Sequence, residues 1–120
     1  MTILLVVEDE RNIRQFVAAN LMARGYTVVQ AESAEDGLQQ LRNHSPAALL
    51  LDIKLPGMSG WNMLQVIDAD ADLPNLPVIV MTASPLTDHA DQQTYNNIVE
   101  KLAKPVSASD LIRAVKKIFE

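Results

Sequence analysis

Short apolar runs recur along this chain, and each one stops at a polar side chain. ILLVV stops at Glu8, ALLL stops at Asp52 and VIVM stops at Thr82. The shorter run IVEKLA stops at Lys104. Runs of four to six apolar residues without alternation are typical of parallel strands buried on both faces. Since helix-length amphipathic stretches separate the runs, the pattern predicts an α/β fold.

The chain divides into five strand-then-helix units without an internal repeat or a low-complexity linker. Ser33 and Ser107 are placed to cap the second and fifth helices, and Gly25 is placed to end the first. The fourth helix, between about 86 and 96, has almost no apolar stripe, so we expect it to be mobile. We predict strands at about 2–7, 27–31, 47–51, 78–81 and 98–103.

The spacing of apolar residues predicts which helix faces pack on the sheet. In the first helix the residues at helical spacing are Ile13, Phe16, Val17, Leu21 and Met22. In the third helix they are Trp61, Leu64 and Ile67.

Composition is consistent with a single domain over residues 1–120. The net charge of -5 argues against a nucleic-acid-binding face, which would need clustered Lys and Arg. Cysteine is absent, which excludes disulfides and thiolate metal sites. No apolar run is long enough for a membrane span, and the N-terminus lacks the pattern of a signal peptide. We therefore expect a cytoplasmic location.

The polar residues that stop the apolar runs are candidates for a functional site. The carboxyl ends of parallel strands lie at one edge of a sheet, and open α/β sheets bind ligands there. Each residue also has an ordinary structural interpretation: Asp9 as a helix cap, Asp52 in an Asx turn, Thr82 as a strand residue and Lys104 as a solvated charge. Polar residues of suitable type at the ends of four strands, in the right order along the chain, are better explained by a shared site than by four separate structural roles.

The chain resembles the receiver domain of two-component response regulators along its whole length. The resemblance is carried by the motifs VVEDE, LLLDIKLPGMSG and VIVMTA, and by the KP pair before the last helix. It implies a flavodoxin-like, doubly wound parallel sheet with strand order 2-1-3-4-5 in three α/β/α layers. It also implies that Asp52 is the phosphoacceptor, Glu8 and Asp9 the acidic pair, Thr82 the switch hydroxyl and Lys104 the site lysine.

The resemblance implies a Mg²⁺ site, in which Mn²⁺ can substitute. Two carboxylates about 4 Å apart repel by roughly 4 kcal/mol at an effective dielectric of 20, so a cation is needed among them. Asp9 and Asp52 would bind the ion directly, Glu8 through water, and Lys54 through its backbone carbonyl. Lys104 would pair with a phosphoryl oxygen, and a cis Lys104-Pro105 bond would direct its side chain.

The implied function is that of a phosphoacceptor signalling domain. Its phosphodonor would be a histidine kinase or a histidine phosphotransfer protein, and its output an effector protein or a fused effector domain. Its only reactions would be self-phosphotransfer and autodephosphorylation, with no contact to nucleic acid or membrane. A flavin-phosphate protein is disfavoured because Glu8, Asp9 and Glu10 would repel the phosphate. A degenerate receiver that acts only as a docking module is the remaining alternative.

One residue departs from the family pattern at the position that usually carries the output signal. The family has Tyr or Phe three residues before the site lysine, whereas this chain has Lys101. Because burial of an unpaired ammonium is costly, we expect the head of Lys101 to stay in water. We also expect the signal to leave through the 82–86 loop and through ordering of the weak fourth helix.

Overall fold

Five parallel strands form one sheet at the centre of the molecule. The computed structural model describes residues 1–73, 75–83, 95 and 97–120. The order of the strands across the sheet is β2-β1-β3-β4-β5, which confirms the order that the resemblance implies. The strands are β1 (Ile3–Val7), β2 (Thr27–Ala31), β3 (Ala48–Asp52), β4 (Val78–Thr82) and β5 (Ile98–Ala103).

Helices cover both faces of the sheet. Within the described residues they are α1 (Arg11–Ala23), α2 (Ala34–His44), α3 (Gly60–Ala69) and α4 (Ala108–Phe119). Helix α4 is the fifth helix of the sequence prediction. The helix expected between about 86 and 96, with its expected mobility and ordering, lies outside the described residues apart from Tyr95.

The core consists of two apolar clusters, one on each face of the sheet. Every residue of β3 and β4 is buried, as expected for central parallel strands. Alternate residues of these strands join α2 and α3 on one face and α1 and α4 on the other. The result is the three-layer α/β/α arrangement that the resemblance implies. No helix in the described part of the chain is long and apolar enough to cross a membrane.

Serine side chains begin three of the helices. The Ser33 hydroxyl accepts from the backbone N–H of Asp36, and the Ser107 hydroxyl accepts from that of Asp110, both as predicted. Ser59 opens α3 with a complete capping box that the sequence analysis did not anticipate. Gly25 follows α1 with φ of 93°, a conformation that favours glycine.

The predicted packing face of α1 is too wide. Phe16 is 43% exposed and Met22 is 51% exposed, whereas Val17 and Leu21 are fully buried. Phe16 and Met22 each stand about 100° around the helix from a buried neighbour, since one residue turns an α-helix by that angle. Because the sheet contacts only a narrow stripe of α1, these two side chains lie outside it.

Candidate functional site

Three carboxylates meet where β1 and β3 end. Glu8 and Asp9 follow β1 directly, and Asp52 is the last residue of β3. The two strands are hydrogen-bonded neighbours, with Val7 opposite Leu51. One carboxylate oxygen from each of the three residues lies within 4.8 Å of the other two. Glu8 and Asp52 are buried, whereas Asp9 is exposed to solvent.

Lys104 places an ammonium against two of these carboxylates. Its Nζ lies 2.6 Å from Oε1 of Glu8 and 3.1 Å from Oδ2 of Asp52. The side chain of Lys104 is only 16% exposed, so the interpretation of Lys104 as a solvated charge is wrong. The Lys104-Pro105 peptide bond is cis, as the resemblance implies. The backbone N–H of Lys104 donates to the carbonyl of Thr82 at 2.9 Å, which ties β5 to the end of β4.

The electrostatics of the cluster depend on burial and on Lys104. Burial raises the pKa of Glu8 to about 7, and the Asp52 carboxylate acts in the same direction. Lys104 and the backbone N–H of Glu10, which donates to Glu8 Oε2, oppose that rise in the pKa. Burial alone would lower the pKa of Lys104, but Glu8 and Asp52 raise it above its ordinary value. Lys104 is therefore held as a cation by the carboxylates around it.

Asp52 has different neighbours at its two carboxylate oxygens. Oδ1 accepts from the backbone N–H of Lys54 at 3.1 Å, which is the Asx-turn contact considered in the sequence analysis. Oδ2 faces Lys104 instead. The turn and the ionic contact therefore coexist. Lys54 itself is exposed and lies immediately beyond Asp52 on the loop.

The other two predicted site residues also lie at this edge. Thr82 is fully buried at the end of β4, one residue beyond Met81, which pairs with Asp52 across the sheet. Asp9 does not cap α1, because the N-cap position belongs to Glu10 and carries no side-chain cap bond. The structure thus brings all six predicted residues to one edge: Glu8, Asp9, Asp52, Lys54, Thr82 and Lys104.

The donor set fits a hard divalent cation. Carboxylate oxygens are the ligands that Mg²⁺ prefers in proteins, and the three carboxylates lie close enough to share one ion. Without a cation, such a cluster of acids would be strongly repulsive. On the buried side of the cluster, the ammonium of Lys104 partly neutralises the charge of Glu8 and Asp52. Asp9 lies on the side that is open to solvent.

Two residues that the sequence analysis did not single out shape the backbone of the site. A Cβ on Gly60 would lie 2.5 Å from the carbonyl oxygen of Asp52, so no other residue fits there without displacement. The guanidinium of Arg14 donates to the carbonyl of Glu8 at 2.9 Å. The only sequence signal for Gly60 is the motif LPGMSG, and no pattern indicates the contact of Arg14.

The expectation that the head of Lys101 stays in water is wrong. Its Nζ is buried and finds no hydrogen-bond partner within the described ranges. It lies 5.9 Å from the centroid of the Trp61 ring, and Trp61 stacks on Tyr95 at a centroid distance of 6.3 Å. The aromatic surface offers the ammonium a cation–π contact in place of water. Trp61 is only partly buried, and it packs against the core as well as against Lys101.

The sheet order and the cluster of acids with a lysine at the carboxyl edge define a class: doubly wound α/β domains of the flavodoxin-like strand order, with a candidate cation site at the switch point. The chain belongs to the response regulator receiver domain family, whose family model matches residues 4–116. It is accordingly a receiver domain homologous to response regulators of two-component systems.

Relatives and solved structures support the same family. The chain is 30% identical over 116 residues to the phosphate regulon transcriptional regulatory protein PhoB of Klebsiella pneumoniae, covering 97% of this chain and 51% of PhoB. It is 32% identical over 113 residues to the response regulator protein FleR of Pseudomonas aeruginosa, covering 94% of this chain and 24% of FleR. The chain thus spans about half the length of PhoB and about a quarter of the length of FleR.

A crystal structure of a response regulator receiver domain protein from Clostridium thermocellum superimposes with a TM-score of 0.84. The two sequences are 30% identical, and the match covers 98% of this chain and 94% of that one. With 98% of the chain covered, the likeness applies to the whole fold and not to one part of it.

Proposed function

We propose that Asp52 accepts a phosphoryl group in a Mg²⁺-dependent reaction. The observation that carries this proposal is the environment of its Oδ2, which lies 3.1 Å from the ammonium of Lys104 in a cluster of three carboxylates. Asp52 is 2% exposed and ends a central strand, so its carboxylate is held in place by the sheet. A fixed carboxylate beside a fixed cation is suited to nucleophilic attack on phosphorus.

The ion would be held by Asp9, Asp52 and the backbone carbonyl of Lys54, with Glu8 reaching it through water. When bound, it supplies positive charge that offsets the repulsion between the carboxylate and the phosphoryl oxygens. The remaining roles belong to side chains of the protein. With that charge in place, Lys104 would be able to turn from Asp52 to an incoming phosphoryl group.

The transfer is a displacement at phosphorus. An oxygen of Asp52 forms a bond to phosphorus while the bond from phosphorus to the donor nitrogen or oxygen breaks, and the donor leaves with that electron pair. Lys104 pairs with a phosphoryl oxygen, and the hydroxyl of Thr82 donates to another. The product is an acyl phosphate, which water later hydrolyses. These self-phosphotransfer and autodephosphorylation steps are the only reactions that we assign to the chain.

The proposal extends to domain organisation and partners. Residues 1–120 act as one receiver domain that takes its phosphoryl group from a histidine kinase or a histidine phosphotransfer protein. It then changes its surface to control an effector protein or an attached effector domain. Mn²⁺ substitutes for Mg²⁺ because it accepts the same oxygen donors. The cytoplasmic location remains a prediction.

A degenerate receiver that only docks on partners would have the same fold. The meeting of Glu8, Asp9, Asp52, Thr82 and Lys104 at one edge favours the phosphoacceptor function. Docking alone would not require the charges of Glu8, Asp52 and Lys104 to be buried together. Acyl-phosphate formation separates the two functions directly, because a docking module would form none.

The test is phosphorylation by a small donor. Wild-type protein incubated with acetyl phosphate and Mg²⁺ should gain the mass of one phosphoryl group, and this gain should disappear when the metal is chelated. Asp52→Asn should abolish the gain, and Asp9→Ala should raise the Mg²⁺ concentration that is required. Asp68→Asn, an exposed aspartate on α3, is the matched control and should behave as wild type. Undiminished acyl phosphate in Asp52→Asn would refute the assignment.

A further inference from the structure

The buried ammonium of Lys101 is the cation that the proposed phosphotransfer site does not use. Its Nζ is out of contact with solvent and has no hydrogen-bond acceptor among the described residues. The ring of Trp61 lies 5.9 Å away, within the range of a cation–π contact. Trp61 in turn is nearly parallel to the ring of Tyr95, with an interplanar angle of 9°. The three side chains form a stack in which Trp61 is central.

A β-bulge sets the direction of Lys101. Pairing between β4 and β5 shifts after Val78 and Ile98, so that Glu100 lies opposite Ile79 and Lys101 opposite Val80. Residues that pair across parallel strands share a face of the sheet. Val80 belongs to the cluster that packs under α2 and α3. Lys101 therefore points beneath α3, where Trp61 lies in the first turn.

The cost of burying the Lys101 ammonium is only partly offset. Burial of an ammonium without a hydrogen-bond acceptor is costly, and a single cation–π contact returns only part of that cost. The alternative, in which the flexible lysine side chain turns outward, restores hydration of the head but leaves Trp61 without its cation. The Lys101 side chain therefore has two competing positions, and a small local shift in the structure can change which of them is favoured.

Trp61 and Lys101 are each connected through the backbone to a residue that lies against the phosphotransfer site. Trp61 directly follows Gly60, whose Cα backs onto the carbonyl of Asp52 so closely that a Cβ would clash with it at 2.5 Å. Lys101 lies on β5, two residues before Ala103, which pairs with Thr82. A change in the spacing between Asp52 and Thr82 would therefore reach the Trp61 ring through Gly60 and the Lys101 stem through β5.

We propose that the contact between Lys101 and Trp61 is a latch, closed in the unphosphorylated protein and opened by phosphorylation of Asp52. This inference rests on the proposed phosphoacceptor function and adds the way in which its signal leaves the site. The moving group is a lysine head that passes from the Trp61 ring into water, and the surface that changes is the stack of Trp61 and Tyr95.

The closed latch is tested first in protein without phosphodonor. Trp61 is the only tryptophan in the chain, so all tryptophan emission comes from the ring that Lys101 contacts. Lys101→Met keeps the length of the side chain and removes its charge, while Lys101→Arg keeps the charge. Lys101→Met should shift the emission maximum and raise the Tm, because a buried unpaired charge is lost; Lys101→Arg should retain the wild-type emission. Unchanged emission and Tm in Lys101→Met would overturn the latch.

Opening of the latch is tested with Mg²⁺ and beryllofluoride as a phosphoryl mimic. Wild-type emission should move toward that of Lys101→Met, whereas the emission of Lys101→Met itself should stay constant. The rate of acyl-phosphate formation from acetyl phosphate should be within about twofold in the two proteins, equivalent to less than about 0.5 kcal/mol. A slowing of tenfold or more in Lys101→Met would place Lys101 in the phosphotransfer site and overturn the latch.

The two possible failures are distinguishable. If wild-type Asp52 forms no acyl phosphate, the proposed function fails and the opening step fails with it. If acyl phosphate forms while the emission of Trp61 is the same with and without beryllofluoride, the latch alone is refuted.

Discussion

Replacement of Lys104 by methionine tests the central ionic contact of the site. Methionine is nearly as long as lysine and fills most of its volume, so the main change is the loss of one positive charge. That charge lies 2.6 Å from Glu8 and 3.1 Å from Asp52. Glu8 is 0% exposed and Asp52 is 2% exposed, so water has little access to replace the ammonium. The variant therefore leaves two buried carboxylates without their cation.

The expected loss is large relative to the stability of a small domain. At a separation of about 3 Å and an effective dielectric of 20, each lost pair is worth about 5 kcal/mol before desolvation is counted. Desolvation of the ammonium cancels part of this, and removal of one partner from a buried pair typically costs about 3–5 kcal/mol. Since domains of this size have total stabilities of about 5–15 kcal/mol, the metal-free variant should be marginal at pH 8.

Magnesium should restore much of the loss, because a divalent cation can neutralise the same carboxylates. At a metal concentration one hundred times the Kd, binding to the folded state alone adds about 2.7 kcal/mol. Urea unfolding followed by circular dichroism, with Mg²⁺ or with chelator, measures both effects. Lowering the pH to 5 should also reduce the deficit, since Glu8, whose pKa is raised by burial to about 7, then takes up a proton.

Lys117→Met is the matched control. Lys117 Nζ lies 2.7 Å from Glu100 Oε2, as close as the Lys104 contacts, but its side chain is 54% exposed. An exposed pair of this kind contributes at most about 1 kcal/mol, and Mg²⁺ should not affect its loss. If Lys104→Met loses no more stability than Lys117→Met, or if Mg²⁺ stabilises both variants equally, the account of a shared cation site is wrong.

Two further substitutions probe the same site. Because the pKa of Glu8 is raised from 4.5 to about 7, the metal-free folded state binds this proton more tightly than the unfolded state, and stability should fall by on the order of 3 kcal/mol as pH rises through that window. Glu8→Gln should flatten this fall in urea titrations from pH 4.5 to 8; an equal slope in both proteins would refute it. Gly60→Ala should cost about 1–3 kcal/mol in the same assay, since its Cβ would meet backbone at 2.5 Å, and a neutral effect would contradict that geometry.

Much of the fold could be predicted from local pattern. Continuous apolar runs indicated buried parallel strands, and serines before amphipathic stretches indicated where two helices begin. The described strand bounds agree with these predictions to within a residue at each end. Local pattern worked here because strand burial and helix capping depend on neighbours in the chain. It did not show that only a narrow stripe of α1 contacts the sheet, which left Phe16 and Met22 exposed.

Most of the candidate site residues could be predicted from the sequence, because they end or follow a strand and parallel strands bring such residues to one edge. Lys54 entered only through the resemblance. The strand order came from the resemblance and not from spacing. Spacing along the chain also could not predict the distances between the site residues, because those distances depend on how separate strands pack. That Lys104 spans both Glu8 and Asp52 depends on how β5 and its following loop lie against β1 and β3.

Lys101 shows most clearly what only the tertiary structure decides. The sequence identified it as a departure from the aromatic of the family, and the cost of burying a charge predicted that its head would be hydrated. A bulge in the pairing of β4 with β5 directs it instead beneath α3, where Trp61 provides a ring face. The amino-acid sequence determines that a lysine stands at position 101. Whether its ammonium meets water or an aromatic ring depends on strand register and on a helix forty residues away in sequence, which no local pattern contains.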